Sequence, residues 1–388
     1  VNDPYADIRP YDDAEVADVL RRLLADRDML DAVAAFRFGA LARTLPFLLR
    51  PLVRAYLARQ VRGVDSVADL QQVIRHYMDR MIEATTAGFS VSGLDALPGD
   101  RAWLFISNHR DIAMDPAFTN YALHSQGRDT VRIAIGDNLL TTPWVSDLMR
   151  LNKSFIVRRS ASGPRELLAR SRQLSDYIRF SLQEQCAPIW IAQREGRAKD
   201  GIDRTEPAVI KMLTLARDKA SETFSDYVAR LNIVPVAISY ELDPCDARKA
   251  NEVWQRRAHG DYEKGAQEDV DSIGLGISGS KGRVHVSFGT PLGEGFETPA
   301  QVAGEIDRQI VSAYCLHPTN LLAYRLLGGD VARTAGLQQE AGAVSERAFR
   351  ARIEAIPEAQ REDALAIYAN AVRSKLALRE SGSLDGAE

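Results

Sequence analysis

Apolar residues recur every three or four positions across residues 13–86. In "DAEVADVLRRLLADRDMLDAVAAF", Val16, Val19, Leu20, Leu23 and Leu24 share one helical face, the periodicity of an amphipathic helix. "VADLQQVIRHYMDRMIEATT" repeats the spacing with Leu70, Val73, Ile74, Tyr77 and Met81, and puts His76 on or beside the polar face, as a surface or capping histidine. From residue 88 the period changes. "GFSVSGLDALP" alternates as a strand does and runs into a turn. "AWLFISN", "TVRIAIGD", "SFIVRR", "APIWIAQ", "NIVPVAISY" and "RVHVSFG" are short apolar runs rich in β-branched and aromatic residues. Helical stretches separate several of them, at 163–184, where Pro164 suits a first turn, and at 206–229. Strands alternating with helices predict an α/β fold: a mixed, mostly parallel central sheet flanked by helices. Residues 246–273 are polar and read as an excursion between two strands. Beyond residue 297 the pattern is helical, broken near Pro357, with the last residues frayed. The chain divides on this reading into a helical region 1–87, an α/β domain 88–296 and a helical region 297–388.

Residues 36–63, "FRFGALARTLPFLLRPLVRAYLARQVRG", carry six arginines and no acid among Phe, Leu, Val and Tyr. Such a segment can lie in a membrane interface with its arginines near anionic headgroups. It can equally be a helix pair, broken near Pro46 and Pro51, packed on the domain with its arginines in water. Its meaning depends on whether the rest of the chain handles lipids.

Composition narrows the classes. A chain of 388 residues has room for two or three domains. A formal net charge of −4 argues against a general nucleic-acid binder. Cys186, Cys245 and Cys315 are far apart and show no metal or disulfide spacing, which fits a reducing cytoplasm. The acidic opening, "VNDPYADIRPYDDAEV", lacks the apolar core of a secretory signal. The longest charge-free run, between Arg308 and Arg325, holds Gln309, His317, Pro318 and Asn320, so no spanning helix of about 20 apolar residues is expected and any membrane contact is peripheral.

The candidate chemistry sits in "FISNHRDIAMDPAF". His109 directly follows an apolar strand, where α/β proteins expose functional groups, and an imidazole there can move protons near neutral pH. A carboxylate on its other ring nitrogen would hold the ring and stabilise the imidazolium. Two aspartates compete. Asp115, with Pro116 beside it, suits the first turn of a following helix. Asp111 could reach the ring in a tight turn, or bind Arg110 or Arg158 instead.

In its motifs the chain resembles the glycerolipid acyltransferase family, which includes glycerol-3-phosphate and lysophosphatidate acyltransferases. That family's first motif is Asn-His, four residues, then Asp, often followed by Pro; "NHRDIAMDP" carries it with one extra residue before the Asp. The second, an apolar run ending in Arg, is matched by "KSFIVRRS" at 153–160. The third, a strand followed by Glu-Gly, one residue and Arg, is matched by "IWIAQREGRAKDG" at 189–201, with one residue fewer between Gly196 and Arg197. The fourth, a strand with Val-Pro, is matched by "NIVPVAISY", and "VHVSFGTPL" resembles the strand and Gly-x-Pro that commonly follow.

The resemblance spans roughly residues 88–295 and implies a mechanism. His109 would deprotonate an acceptor hydroxyl, which attacks an acyl thioester, and Asp115 would orient the imidazole. The donor would be acyl-CoA or acyl carrier protein, with no metal or other cofactor. The acceptor would be glycerol-3-phosphate or its 1-acyl derivative. Arg158 and Arg197 would grip its phosphate through paired hydrogen bonds. Lys153, Arg159 and Lys199 would extend the positive field, though Arg159 and Lys199 read equally well as solvated charges. Glu195 and Gly196 would help arrange the acceptor site, Glu195 pairing an arginine as the plainer alternative, and Pro235 would shape the strand edge. The expected location is cytoplasmic, peripheral to the inner face of the cell membrane. Acylation of another amphiphile, such as an amino-acid lipid or a lipid A precursor, and a non-catalytic lipid-binding relative stay open.

Other chemistries lack their residues. No Gly-x-Ser-x-Gly elbow is present. "GLGISGSKG" at 274–282 lacks the Gly-Lys-Ser/Thr ending of a phosphate loop and, just before "RVHVSFG", reads as a strand followed by a turn. His285 alternates with Val284 and Val286, on the polar face of its strand. His124, His259 and His317 have no acid at convincing spacing, and all four read as structural.

Overall fold

A computed structural model describes residues 3–382 except Thr141, Ala161, Ala266 and Gln338. The expected fraying at the C-terminus falls largely on 383–388, outside the described residues. The helices are α1 (Asp13–Ala25), α2 (Arg27–Phe38), α3 (Ala40–Thr44), α4 (Pro46–Gln60), α5 (Val67–Thr85), α6 (Met114–Ser125), α7 (Pro143–Leu151) and α8 (Pro164–Gln183). They continue with α9 (Pro207–Leu213), α10 (Phe224–Arg230), α11 (Asp246–His259), α12 (Glu268–Ser278), α13 (Pro299–Ala313), α14 (Pro318–Leu326), α15 (Glu346–Glu354) and α16 (Arg361–Glu380). The strands are β1 (Thr86–Ser92), β2 (Leu104–Ser107), β3 (Arg132–Gly136), β4 (Ser154–Val157), β5 (Ile189–Ala192), β6 (Ile233–Tyr240) and β7 (Gly282–Phe288). The fold is α/β, and the resolved strand pairings are parallel except for β6 with β7.

Contacts divide the chain into two compact units that interleave in sequence: Val1–Arg80 with Val131–Phe180, and Met81–Thr130 with Ser181–Glu388. The divisions along the sequence fall inside α5, just before β3 and inside α8.

The first unit holds the N-terminal helices and the parallel pair β3–β4, in register Ile133↔Ser154. Its core gathers the helical stripe read from the sequence: Val16, Val19, Leu20 and Leu23 of α1 pack with Leu30, Leu49, Val53, Leu70 and Leu151. The side chain of Asp12 and that of Glu15 cap the start of α1 reciprocally. The basic segment breaks at Gly39 and at Pro46, but not at Pro51, which lies inside α4. Pro51 removes the amide that would bond the Phe47 carbonyl; both residues are exposed, so water can take that carbonyl.

The second unit orders its strands β1-β7-β6-β2-β5. β2 is central and fully buried, paired in parallel with β5 (Leu104↔Ile189) and β6 (Leu104↔Ile233). Two sequence expectations are corrected here. The helix expected over 206–229 is two helices, because Asp218 folds its side chain onto the Ala220 amide and Thr223 starts α10 by accepting the Asp226 amide. The polar excursion 246–273 does lie between two strands, β6 and β7, and contains α11 and the start of α12. "GLGISGSKG" is the end of α12 and the turn into β7, not a strand. Gly276 is buried in that helix because a Cβ there would lie 2.3 Å from Asp111 Oδ2.

Candidate active site

The site starts where β2 ends. The ladder with β6 continues one step past Ser107↔Val236, because Asn108 donates its amide to the Val236 carbonyl at 3.3 Å. Its side chain then imitates a peptide group. Oδ1 accepts the Ile238 amide (2.8 Å) and Nδ2 donates to the Ile238 carbonyl (3.1 Å) and to Asp203 (3.2 Å). An Asn at this position therefore closes the strand end without leaving β6 unpaired, and the next residue, His109, leaves the sheet in a fixed direction.

His109 Nδ1 lies 2.9 Å from Asp115 Oδ2, with the histidine side chain 13% exposed and the aspartate 0%. The same oxygen accepts the amides of Arg110 (2.6 Å) and Asp111 (2.9 Å), and Oδ1 accepts the Tyr240 hydroxyl (2.7 Å). A carboxylate that accepts on both oxygens requires the proton on Nδ1, which leaves Nε2 as the basic nitrogen. Trp190 of β5 meets the imidazole edge to face at 5.9 Å. Asp115 sits in the first turn of α6, followed by Pro116.

Asp111 does something else. Its Oδ1 accepts the amides of Ala113 (3.0 Å) and Met114 (2.9 Å), folding the turn that absorbs the extra residue and opens α6. Burial, then the neighbouring charge of Asp115, push its pKa up, while the Met114 amide, Arg197 and Lys249 pull the other way.

The third motif is tied to the first through the backbone. Gln193 donates its amide to Ser107 (2.8 Å) and Ala198 donates to the carbonyl of His109 itself (2.8 Å). Arg197 is 7% exposed, and its Nη1 has no hydrogen-bond partner among the described residues. Lys199 pairs with Glu252 of α11; burial and then the like charge of Arg197 lower its pKa. Glu195 and Gly196 are exposed at the turn, Gly196 with φ +71°, a conformation glycine accepts readily. Pro235 is buried in β6. Even-numbered β6 residues bond toward β2, so its missing amide faces the end of β7, where its carbonyl accepts the Gly289 amide at 2.8 Å. That explains a proline inside a paired strand.

Lys153, Arg158 and Arg159 belong to the first unit and have local geometry of their own. Lys153 adopts φ +60° before β4. Arg158 pairs with Asp7 at 3.0 Å, and the Arg159 amide donates to Asp137 at 3.2 Å.

Several groups around the site carried no signal in the sequence. Arg110, 4% exposed, donates to Asp203 (2.6 Å) and to the Gly201 carbonyl (3.0 Å), and lies over the Tyr314 ring at 5.3 Å. Lys249, 1% exposed, pairs with Asp243 and donates to the Arg110 carbonyl at 2.6 Å. Burial raises Asp243, but the adjacent Lys249 outweighs it and holds the carboxyl below its usual range. Both buried ion pairs thus hold Arg110, the residue after His109, one through its side chain and one through its carbonyl.

An imidazole is thus held by a buried carboxylate at the end of a central parallel strand of an α/β fold, and the backbone beside the buried Arg197 is bonded to the histidine's own carbonyl. Residues 88–239 match the family model described as Acyltransferase. No curated protein sequence matches the chain. Among solved structures, the crystal structure of the 1-acyl-sn-glycerophosphate acyltransferase PlsC from Thermotoga maritima is similar at 14% identity and TM-score 0.38, over 73% of this chain and 93% of that one. Among the described residues no helix is long and apolar enough to cross a membrane.

Proposed function

We propose that the protein moves a fatty acyl group from a thioester donor, acyl-CoA or acyl carrier protein, to the hydroxyl of glycerol-3-phosphate or 1-acylglycerol-3-phosphate. The observation that carries the reading is the His109–Asp115 pair, within the stretch that matches the Acyltransferase model, together with a buried Arg197 whose Nη1 has no hydrogen-bond partner among the described residues. His109 Nε2 takes the proton of the acceptor hydroxyl as its oxygen attacks the thioester carbonyl. Asp115 stabilises the imidazolium so formed. The tetrahedral intermediate collapses with cleavage of the carbon–sulfur bond, and the proton passes from Nε2 to the departing thiolate. Ester and free thiol result, and no covalent enzyme intermediate or redox step is needed.

A buried N–H without a partner is costly, and a phosphate on Arg197 would offset that cost with charge-assisted bonds. Lys199 and Lys249 add positive potential at the same place. Glu195, Gly196 and Pro235 shape the acceptor side.

The first unit supports a seat on a membrane. Phe36 (62% exposed), Phe47 (66%) and Leu52 (63%) stand out from α2 and α4 with Phe38, Leu48 and Tyr56, as Leu41 does from α3, and Arg37, Arg54, Arg59 and Arg62 are exposed among them. Apolar side chains ringed by arginines fit an anionic bilayer surface, such as the cytoplasmic leaflet.

The deciding experiment mixes purified protein with acyl-CoA and, separately, glycerol-3-phosphate and lysophosphatidate, and follows thiol release. Release that needs one of these acceptors and vanishes in His109→Ala is expected. No release with either acceptor would point to another amphiphile, release without any acceptor would mark hydrolysis of the thioester, and each would overturn the reading.

A further inference from the structure

We infer that Tyr240 is a positioning residue for the His109–Asp115 pair, setting through its hydroxyl how strongly Asp115 supports the imidazole; the inference rests on the His109 mechanism above. Tyr240 is the last residue of β6, two positions beyond Ile238, whose amide and carbonyl the Asn108 side chain takes up. The ladder that aims His109 out of β2 therefore also sets the place of the Tyr240 ring. The ring packs edge to face on Phe118 of α6 at 5.9 Å, one turn beyond Asp115, and the residue is 5% exposed.

Its hydroxyl lies 2.7 Å from Asp115 Oδ1 and is the bond that carboxylate oxygen makes, while His109 and two amides share Oδ2. Two consequences follow from this division. With Oδ1 held by Tyr240, the carboxylate cannot rotate about its Cβ–Cγ bond without breaking a buried bond on each side. The hydroxyl also withdraws part of the negative charge that would otherwise face the imidazolium, so it limits how basic Nε2 becomes.

The charged groups around this pair come from several elements. Asp115 and Asp111 flank the start of α6, Asp243 follows β6, Lys249 reaches in from α11, and Arg197 lies in the loop after β5. The phenol stays protonated among these acids, because burial, then Asp115 and Asp111, push its pKa well above the usual value. It is thus a donor throughout the working range and not a second base.

The test uses the full chain with Tyr240→Phe and, separately, 3-fluorotyrosine at position 240, a more acidic phenol and stronger donor. Two readouts are taken: the acid limb of kcat/KM for thiol release, and the NMR titration of the His109 ring in labelled protein without substrate, assigned with His109→Gln. Tyr240→Phe should raise the His109 titration and the acid limb by on the order of half a pH unit, as expected for a lost bond to its partner carboxylate. It should also lower kcat by about tenfold with acceptor KM little changed. Fluorotyrosine, which preserves packing, should move the titration the opposite way and keeps the test decisive if Tyr240→Phe folds poorly. An unmoved His109 titration in a folded variant overturns the inference and leaves Tyr240 a packing residue. If the natural protein turns over neither acceptor, the proposed reaction fails while the His109 titration still decides the role of Tyr240.

Discussion

Asp115 and Asp111 differ by four positions and by almost everything that governs a carboxylate. Asp115 gathers one imidazole, two amides and a phenol. Asp111 spends its acceptor capacity on the turn that starts α6. Asp115→Asn should therefore lose most turnover, since the amide cannot accept on both oxygens and support an imidazolium. Losses of 10³-fold or more are roughly what such partners give in triads. Asp111→Asn keeps its turn-forming oxygen and should lose much less. Steady-state thiol release on both variants checks the order, and the reverse order would reassign the pair. His317 offers a prediction about stability. Burial pushes its pKa down to about 4 against the pull of Glu241 and Glu340. A group with a lowered basic pKa binds fewer protons folded than unfolded between pH 4 and its ordinary value of about 6.5. Stability should thus fall as the pH drops through that window, by about 3 kcal/mol at most from this group. Urea unfolding at several pH values should show that slope reduced in His317→Gln.

At the scale of elements, the site is held by pieces whose inward faces are charged. α11 buries Asp246, Lys249, Ala250 and Glu252, so it has no apolar stripe, and hydrophobic periodicity reads it as an excursion. α12 hides for a related reason: its inward positions are Ser272 and Gly276, the latter small because Asp111 lies against it. The seven strands were legible because β-branched and aromatic runs mark them locally, and so was His109 at a strand end. The network around it was not, since Arg110–Asp203 and Lys249–Asp243 are contacts between elements. Removing one partner of a buried pair leaves the other charge uncompensated, so Asp203→Ala should cost about 3–5 kcal/mol in chemical denaturation. Gly201 is fixed by its surroundings. It has φ +78°, and a Cβ there would lie 2.1 Å from the Ile367 carbonyl of α16. Gly201→Ala combines a disfavoured backbone with a clash against backbone, and should lower the melting temperature while loosening the loop that carries Arg197.

For the whole molecule, each unit has its own task in the proposed function. The unit with β2 and β6 carries the proton-transfer pair and Arg197. The unit with α1 to α4 carries the apolar side chains exposed beside arginines. Replacing Arg37, Arg54, Arg59 and Arg62 together with Glu should weaken binding to anionic vesicles by at least tenfold, since each basic residue near such a surface contributes about 1 kcal/mol. Co-sedimentation measures it, and binding should also weaken with added salt. Unchanged vesicle binding in the variant would remove the membrane reading of this surface.

Periodicity and residue type are local properties, and they sufficed for the α/β class, the seven strands, the helical N-terminal and C-terminal regions and the candidate histidine. The groups that hold its aspartate partner are not all local. Tyr240 is 125 positions from Asp115, and it arrives there only because β6 pairs with β2 in one register, with Asn108 completing the ladder. A slip of one residue would turn every β6 side chain to the opposite face. Which carboxylate bonds the imidazole, and which buried cations lie around it, depend on that register and on the packing of α6, α11 and α12, because hydrogen bonds act over about 3 Å however far apart the residues lie along the chain.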